Sequence, residues 1–288
     1  MNIKYKVFFL FLLFAHTIFF LSAETKREEL WKWKGMEISW SYDTEDPSLR
    51  TLEFKATRKN IESKVFDVAF EVILEKGEYR IDKKNFFYLI SHSTGESGGS
   101  LFLRIFYPHK KKLEYVFLEV SGYGVIKFVD LNNDHNDEIY VYNQDFYGLS
   151  FKTKKEKACI ALPPLYQSGF SEFVFPKYYQ LVASKQRGKF ELKDVTFTPE
   201  AEKSVSIYIQ KLEQFLETKK DSIIQNEYLI PPLFQYYDYQ RRYGREKETL
   251  LFLRSLRIRY ESSCGENEVK KQTYLGLLLR EYFKRGKN

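Results

Sequence analysis

Residues 190–216 read FELKDVTFTPEAEKSVSIYIQKLEQFL, and the chain changes character inside them, at Thr198. Before that point apolar residues alternate or gather in short β-rich runs; after it they return every three or four positions. Thr198-Pro199-Glu200 supplies a capping oxygen, a proline at the first helical position and an acid at the positive end of the helix dipole. Val205, Ile209, Leu212 and Leu216 then fall on one stripe of an amphipathic helix. This boundary predicts an α+β chain: an antiparallel β-rich domain over 24–197, then a small C-terminal helical bundle over 198–288.

Working upstream, strands are expected over Glu37–Tyr42, Leu52–Thr57, Phe66–Leu74, Phe86–Ile90, Leu101–Tyr107 and Tyr115–Val120. Turn chemistry separates them at Asp46-Pro47, Glu75-Lys76-Gly77, Thr94–Gly99 and Ser121–Gly124. Strands this close together, with no helical pattern between them, call for antiparallel pairing in a sandwich or a partial, propeller-like set of blades. WKWKGMEISW, residues 31–40, interleaves Lys with Trp, as one buried face of a strand does. Downstream, helices are expected from Pro231-Pro232 to Gly244, from Arg245 to Ser262, and from Glu266 to Arg285, with Cys264-Gly265 as the break. Short connections make such helices antiparallel neighbours.

The N-terminus carries Lys4 and Lys6, an apolar run from Val7 to Leu21, and Leu-Ser-Ala ending at Ala23. That is the pattern of a cleaved signal peptide over 1–23, the run being shorter than the roughly 18 residues of a spanning helix; an uncleaved membrane anchor is the alternative. The expectation is an exported protein: periplasmic, envelope-bound or secreted. Hydrophobic residues make up 43% of the chain and aromatics 18%, which excludes a disordered polymer. The net charge of +7 would favour anionic partners. Outside the cell these are glycans, lipid head groups or another protein rather than nucleic acid. Cys159 and Cys264 make an even count that an oxidising compartment could join. Closing that loop would stabilise the fold by roughly 4–5 kcal/mol, and two separate thiols are the alternative.

One stretch carries chemistry. VDLNNDHNDEIYVY, residues 129–142, places oxygen side chains at Asp130, Asn132, Asp134 and Glu138, with Asn136 able to offer its main-chain carbonyl. Alternate residues of a tight loop can converge on a hard cation such as calcium, which takes six to eight oxygens; magnesium demands a tighter octahedron. An empty polar turn is the alternative. Helices do not flank this loop and Val141 stands where an EF-hand places Glu, so strand, loop and strand is the expected arrangement. The segment resembles the calcium loops of single-copy FG-GAP or VCBS-type modules of exported bacterial proteins. ISHSTGESGGSLFLRIFYP at 90–108, YNQDFYG at 142–148, Pro163-Pro164 and GKFELKDVT at 188–196 extend the resemblance over roughly residues 85–200. It implies a structural ion site in a binding or scaffolding protein. His135 occupies position six, where that family usually has Gly because the backbone there turns with positive φ, and the loop occurs once.

Enzyme signatures do not assemble. GESGG at 95–99 satisfies G-x-S-x-G, but a strand rather than a helix is expected to follow Ser97. There is no HExxH, no paired CxxC, no phosphate loop and no dinucleotide fingerprint. Acids paired only in space would leave no trace, so an envelope hydrolase using Ser97 or two carboxylates is the rival class.

Overall fold

The computed structural model describes residues 25–43, 46, 50–56, 62–68, 70–81, 83–93, 99–121, 124–142, 144–145, 150–152, 159–161, 173–186, 188–224, 229–264 and 269–285. The expected signal peptide, Ser97 and Pro163-Pro164 lie outside these residues. No described helix is long and apolar enough to cross a membrane.

Strands dominate the first two thirds of the described chain, as expected. β1 (Thr25–Trp33), β2 (Met36–Asp43), β3 (Arg50–Ala56) and β4 (Lys64–Asp67) form one antiparallel sheet in chain order. Lys34 and Gly35, both with positive φ, make the two-residue turn between β1 and β2. Such turns match the right-handed twist of paired strands. A second sheet follows: β5 (Glu71–Ile81), β6 (Lys84–Ser93), β7 (Ser100–His109) and β8 (Lys112–Ser121), again in chain order. The third runs β9 (Ile126–Val129), β10 (Glu138–Tyr142), β13 (Pro176–Ala183), β14 (Phe190–Asp194). Between β10 and β13, β11 (Ser150–Lys152) and β12 (Cys159–Ala161) pair with each other.

Successive side chains of a strand point to opposite faces, so a sheet covered on both sides presents apolar residues to both. β6 shows this. Phe87 and Leu89 join Trp33, Ile38, Leu52 and Phe54 of the first sheet. Phe86 and Ile90 join Ile126, Ile139, Val141 and Leu181 of the third. The three sheets therefore stack face to face. The far face of the third, through Tyr178 and the preceding Phe175, shares a core with the helices.

α1 (Pro199–Thr218) begins where the sequence places it: the Thr198 hydroxyl accepts the Ala201 amide at 3.4 Å. Val205, Ile209, Leu212 and Leu216 are all buried. α2 (Ile230–Arg242) starts on its two prolines and is buried from Ile230 to Gln240, so it is the central element of the helical part. α3 (Glu246–Leu256) and α4 (Leu275–Arg285) pack beside it.

Four expectations are corrected. The third helix does not reach Ser262; Arg257 turns left-handed with φ 52°, its amide returning to the Arg254 carbonyl at 3.3 Å. β16 (Arg259–Cys264) follows, beside β15 (Ile223–Ile224) on one edge and β17 (Val269–Tyr274) on the other. β17 occupies the first half of the expected fourth helix, so the helices enclose a small sheet. Around β16 burial alternates, with Ile258 and Tyr260 inside, a period of two that only a strand can satisfy. Likewise Phe66–Leu74 is not one strand. Its chain turns at Phe70, φ 62°, and passes from the first sheet to the second. Glu75-Lys76-Gly77 is no turn but the middle of β5, beside a register shift between Ile73 and Glu75.

Candidate cation loop

The β9–β10 hairpin closes with Glu138 opposite Val129, leaving residues 130–137 as the connection between the first two strands of the third sheet. Strand, loop and strand is the expected arrangement. Inside the loop the oxygen side chains turn inward onto the backbone. The Asp130 carboxylate accepts the amides of Asp134 at 3.2 Å and His135 at 3.0 Å. The Asn132 carbonyl oxygen also accepts the Asp134 amide, at 3.1 Å, while its own amide group donates to Asp134 at 3.0 Å. Asp134 in turn accepts the Asn136 amide at 2.7 Å. Two residues bend the chain tightly enough for this: Asn133 with φ 59° and His135 with φ 66°. Position six is thus left-handed, as the family pattern requires, although it carries a Cβ.

Glu138 anchors the base. It is buried, and its carboxylate accepts the Leu131 amide at 3.0 Å and the Gln180 side chain at 3.3 Å. From the second sheet, the Tyr79 hydroxyl donates to the main-chain carbonyl of Asp137. Sequence reasoning missed Tyr79 and Gln180. Both lie more than 40 residues from their loop partner, 58 and 42 positions away, and no local pattern marks them.

Charge in the loop is unbalanced. Burial pushes the Glu138 carboxyl above its ordinary range; the nearby Asp134 and Asp130 charges add to this, and the Leu131 amide offsets part. Asp137 is raised by burial and then by Asp130. Asp134 differs: desolvation is the largest single influence and raises it, but the bonds from Asn136 and Asn132 together outweigh that and hold it below its ordinary value. Burial, followed by the Glu138 charge, also raises the Tyr79 phenol. No Lys or Arg ion pair to Asp130, Asp134, Asp137 or Glu138 occurs among the described residues; the exposed His135 ring lies 4.0 Å from Asp130.

Among the described residues no three His, Cys, Asp or Glu side chains gather at one point. The loop's acids are held apart by the amides they accept. Yet the donor set fits a hard divalent cation: its oxygens come from carboxylates, an Asn side chain and main-chain carbonyls, with no soft ligand among them. A carboxylate oxygen accepting one N–H retains a second lone pair.

The other singled-out residues fall elsewhere. Cys159 lies in β12 and Cys264 at the end of β16, with both side chains outside what the structure describes. The two strands themselves lie close together. No protein-family model, no curated protein and no solved structure matches the chain.

Proposed function

We propose that the protein is an exported, non-enzymatic binding or scaffolding protein whose 130–138 loop takes calcium as a structural staple. The observation that carries this reading is the loop's charge. Asp130, Asp134 and Asp137 share one eight-residue connection with Glu138 at the first position of β10, and no Lys or Arg pairs with any of the four among the described residues. Asp130, Asn132, Asp134 and Glu138 would bind by side chain and Asn136 by main chain. Calcium supplies the positive charge that the fold leaves out, fastening β9 and β10 at the end where the loop joins them.

Three further observations support the FG-GAP/VCBS-type reading. The loop joins paired antiparallel strands, its sixth position has positive φ, and three successive four-stranded antiparallel sheets share cores with their neighbours. The tripartite N-terminus supports export.

The test is thermal unfolding with and without calcium. At about 5 mM calcium, roughly five times a dissociation constant of ~10⁻³ M, linkage adds about 1 kcal/mol. That raises the melting temperature by about 2–4 °C. Asp130→Ala with Asp134→Ala removes the increment, and magnesium gives less of it. An unchanged melting temperature for the wild-type protein at that calcium concentration refutes the site.

A further inference from the structure

We infer that the groove between α3 and α4 docks the protein on an anionic lipid bilayer. The groove encloses 760 Å³ and is lined by Leu250, Leu253 and Gly276, with Leu251, Leu277 and Tyr274 beside them. These last three are 58%, 48% and 51% exposed, apolar surface gathered from α3, α4 and the end of β17. Gly276 packs against Leu253 and Leu250 across the groove floor: a Cβ there would sit 3.5 Å from the Leu253 Cβ, in ordinary contact.

Charge identifies the occupant. Every charged residue lining the groove is a cation: Lys247, Arg254, Arg257 and Arg280. Arg257 is committed to Asp221, 2.7 Å away. The other three have no carboxylate partner among the described residues. Lys247 and Arg254 are two turns apart on α3, about 10 Å along its axis, so they bracket the exposed leucines. A bilayer interface offers this arrangement: an apolar layer for Leu251, Leu277 and the ring of Tyr274, and phosphates above it for long flexible cations at both ends. An acidic peptide would have to present its carboxylates in one fixed register, a demand that a field of lipid phosphates does not make. The inference is independent of calcium, because the loop belongs to the third sheet and the groove to α3 and α4.

The test is co-sedimentation of the full chain with vesicles of pure phosphatidylcholine or with about 30% phosphatidylglycerol, in chelator so that calcium bridges no phosphates. The readout is the ratio of binding to the two compositions, since the apolar N-terminal segment is common to every variant. The wild-type protein should favour the anionic vesicles, and salt should reduce the preference. Lys247→Gln with Arg254→Gln and Arg280→Gln should lower the ratio about 100-fold, at about fivefold per cation. Leu251→Asn with Leu277→Asn should weaken anionic-vesicle binding without altering the melting temperature. The control Lys112→Gln, Lys193→Gln, Lys211→Gln removes equal charge from other exposed positions and should shift the ratio far less. Equal loss in the control and the groove variant assigns the effect to net charge and overturns the inference. So does a wild-type protein that does not distinguish the two compositions.

Discussion

The Asp130 carboxylate accepts the amide of His135 at 3.0 Å, and His135 meets it with a left-handed backbone, φ 66°. The bond and the conformation are one device: a residue with φ near −60° would turn that amide away from the carboxylate. An L-residue in this region costs roughly 1–2 kcal/mol, less for His than for a β-branched side chain.

His135→Gly should therefore stabilise the calcium-free protein by about 0.5–1 kcal/mol, after subtracting the added freedom of the unfolded chain. The His135 side chain is 95% exposed and sacrifices no packing. Urea unfolding in chelator measures the difference. A destabilised Gly variant would mean that the exposed imidazole, rather than the backbone, supports the loop through its proximity to Asp130.

Glu138 gives a pH dependence of defined sign. Its folded pKa is raised above the ordinary 4.5, chiefly by burial, so the folded protein resists ionising it. For an acid raised on folding, its contribution to stability is complete below the unfolded value and is lost as pH climbs through the folded one. Calcium-free protein should lose stability as pH rises from about 4.5. Glu138→Gln should remove most of that slope, with Asp137 leaving a smaller one in the same direction. At neutral pH the calcium-free variant should exceed wild type by less than about 1 kcal/mol. Calcium should reverse the order, because it stabilises only the carboxylate. Urea midpoints from pH 4 to 8, with and without calcium, give both signs, a window of about two units either side of the mid-range that the linkage relation covers.

Much of this architecture is local in origin and therefore legible in the chain. Thr198-Pro199 marks the start of α1, and the prolines at 231 and 232 mark α2, because caps and fixed φ act within one turn. The hairpin around 130–138 is legible for the same reason: its hydrogen bonds span two to seven residues. What escapes is set by distant partners. β16 is a strand because β15, some 36 residues earlier, gives it a parallel edge at Ile223–Arg259 and Ile224–Tyr260. Its charged sequence fits a helix equally well. Tyr79 reaches the loop from another sheet.

The buried pair at Arg104 and Glu71 is another such long-range contact. Arg104 grips the Glu71 carboxylate through two bonds of 2.6 Å, and the Ser91 hydroxyl donates to the same group. Both charged side chains are under one tenth exposed. Arg104→Met strands a carboxylate inside the protein and should cost about 3–5 kcal/mol. Adding Glu71→Met should restore most of that loss, since an apolar pair needs no desolvation of charge. A chemical-denaturation double-mutant cycle separates the outcomes. A double variant as unstable as the single one would show that the pair supports the second sheet by more than mutual neutralisation.

Gly77 explains why its segment imitates a turn. It stands opposite Tyr88 in the β5–β6 register, and the tyrosine ring lies across the space where a side chain would be. A Cβ at position 77 would come within 2.9 Å of the Tyr88 ring and hydroxyl. That hydroxyl donates to Glu75 at 2.5 Å, and the ring stands 4.6 Å from Phe128, the last turn-side aromatic before the acidic loop. Gly77→Ala must push the ring aside and break the bond to Glu75, a loss of about 1 kcal/mol. In a Tyr88→Ala background the three atoms nearest the new methyl group are gone. There the same substitution should stabilise by about 0.4–1 kcal/mol, because it restricts only the unfolded chain. The change of sign between the two backgrounds, read from urea midpoints, isolates the ring-over-glycine contact. If Gly77→Ala has the same effect in both, the glycine serves the backbone of β5 and not the tyrosine.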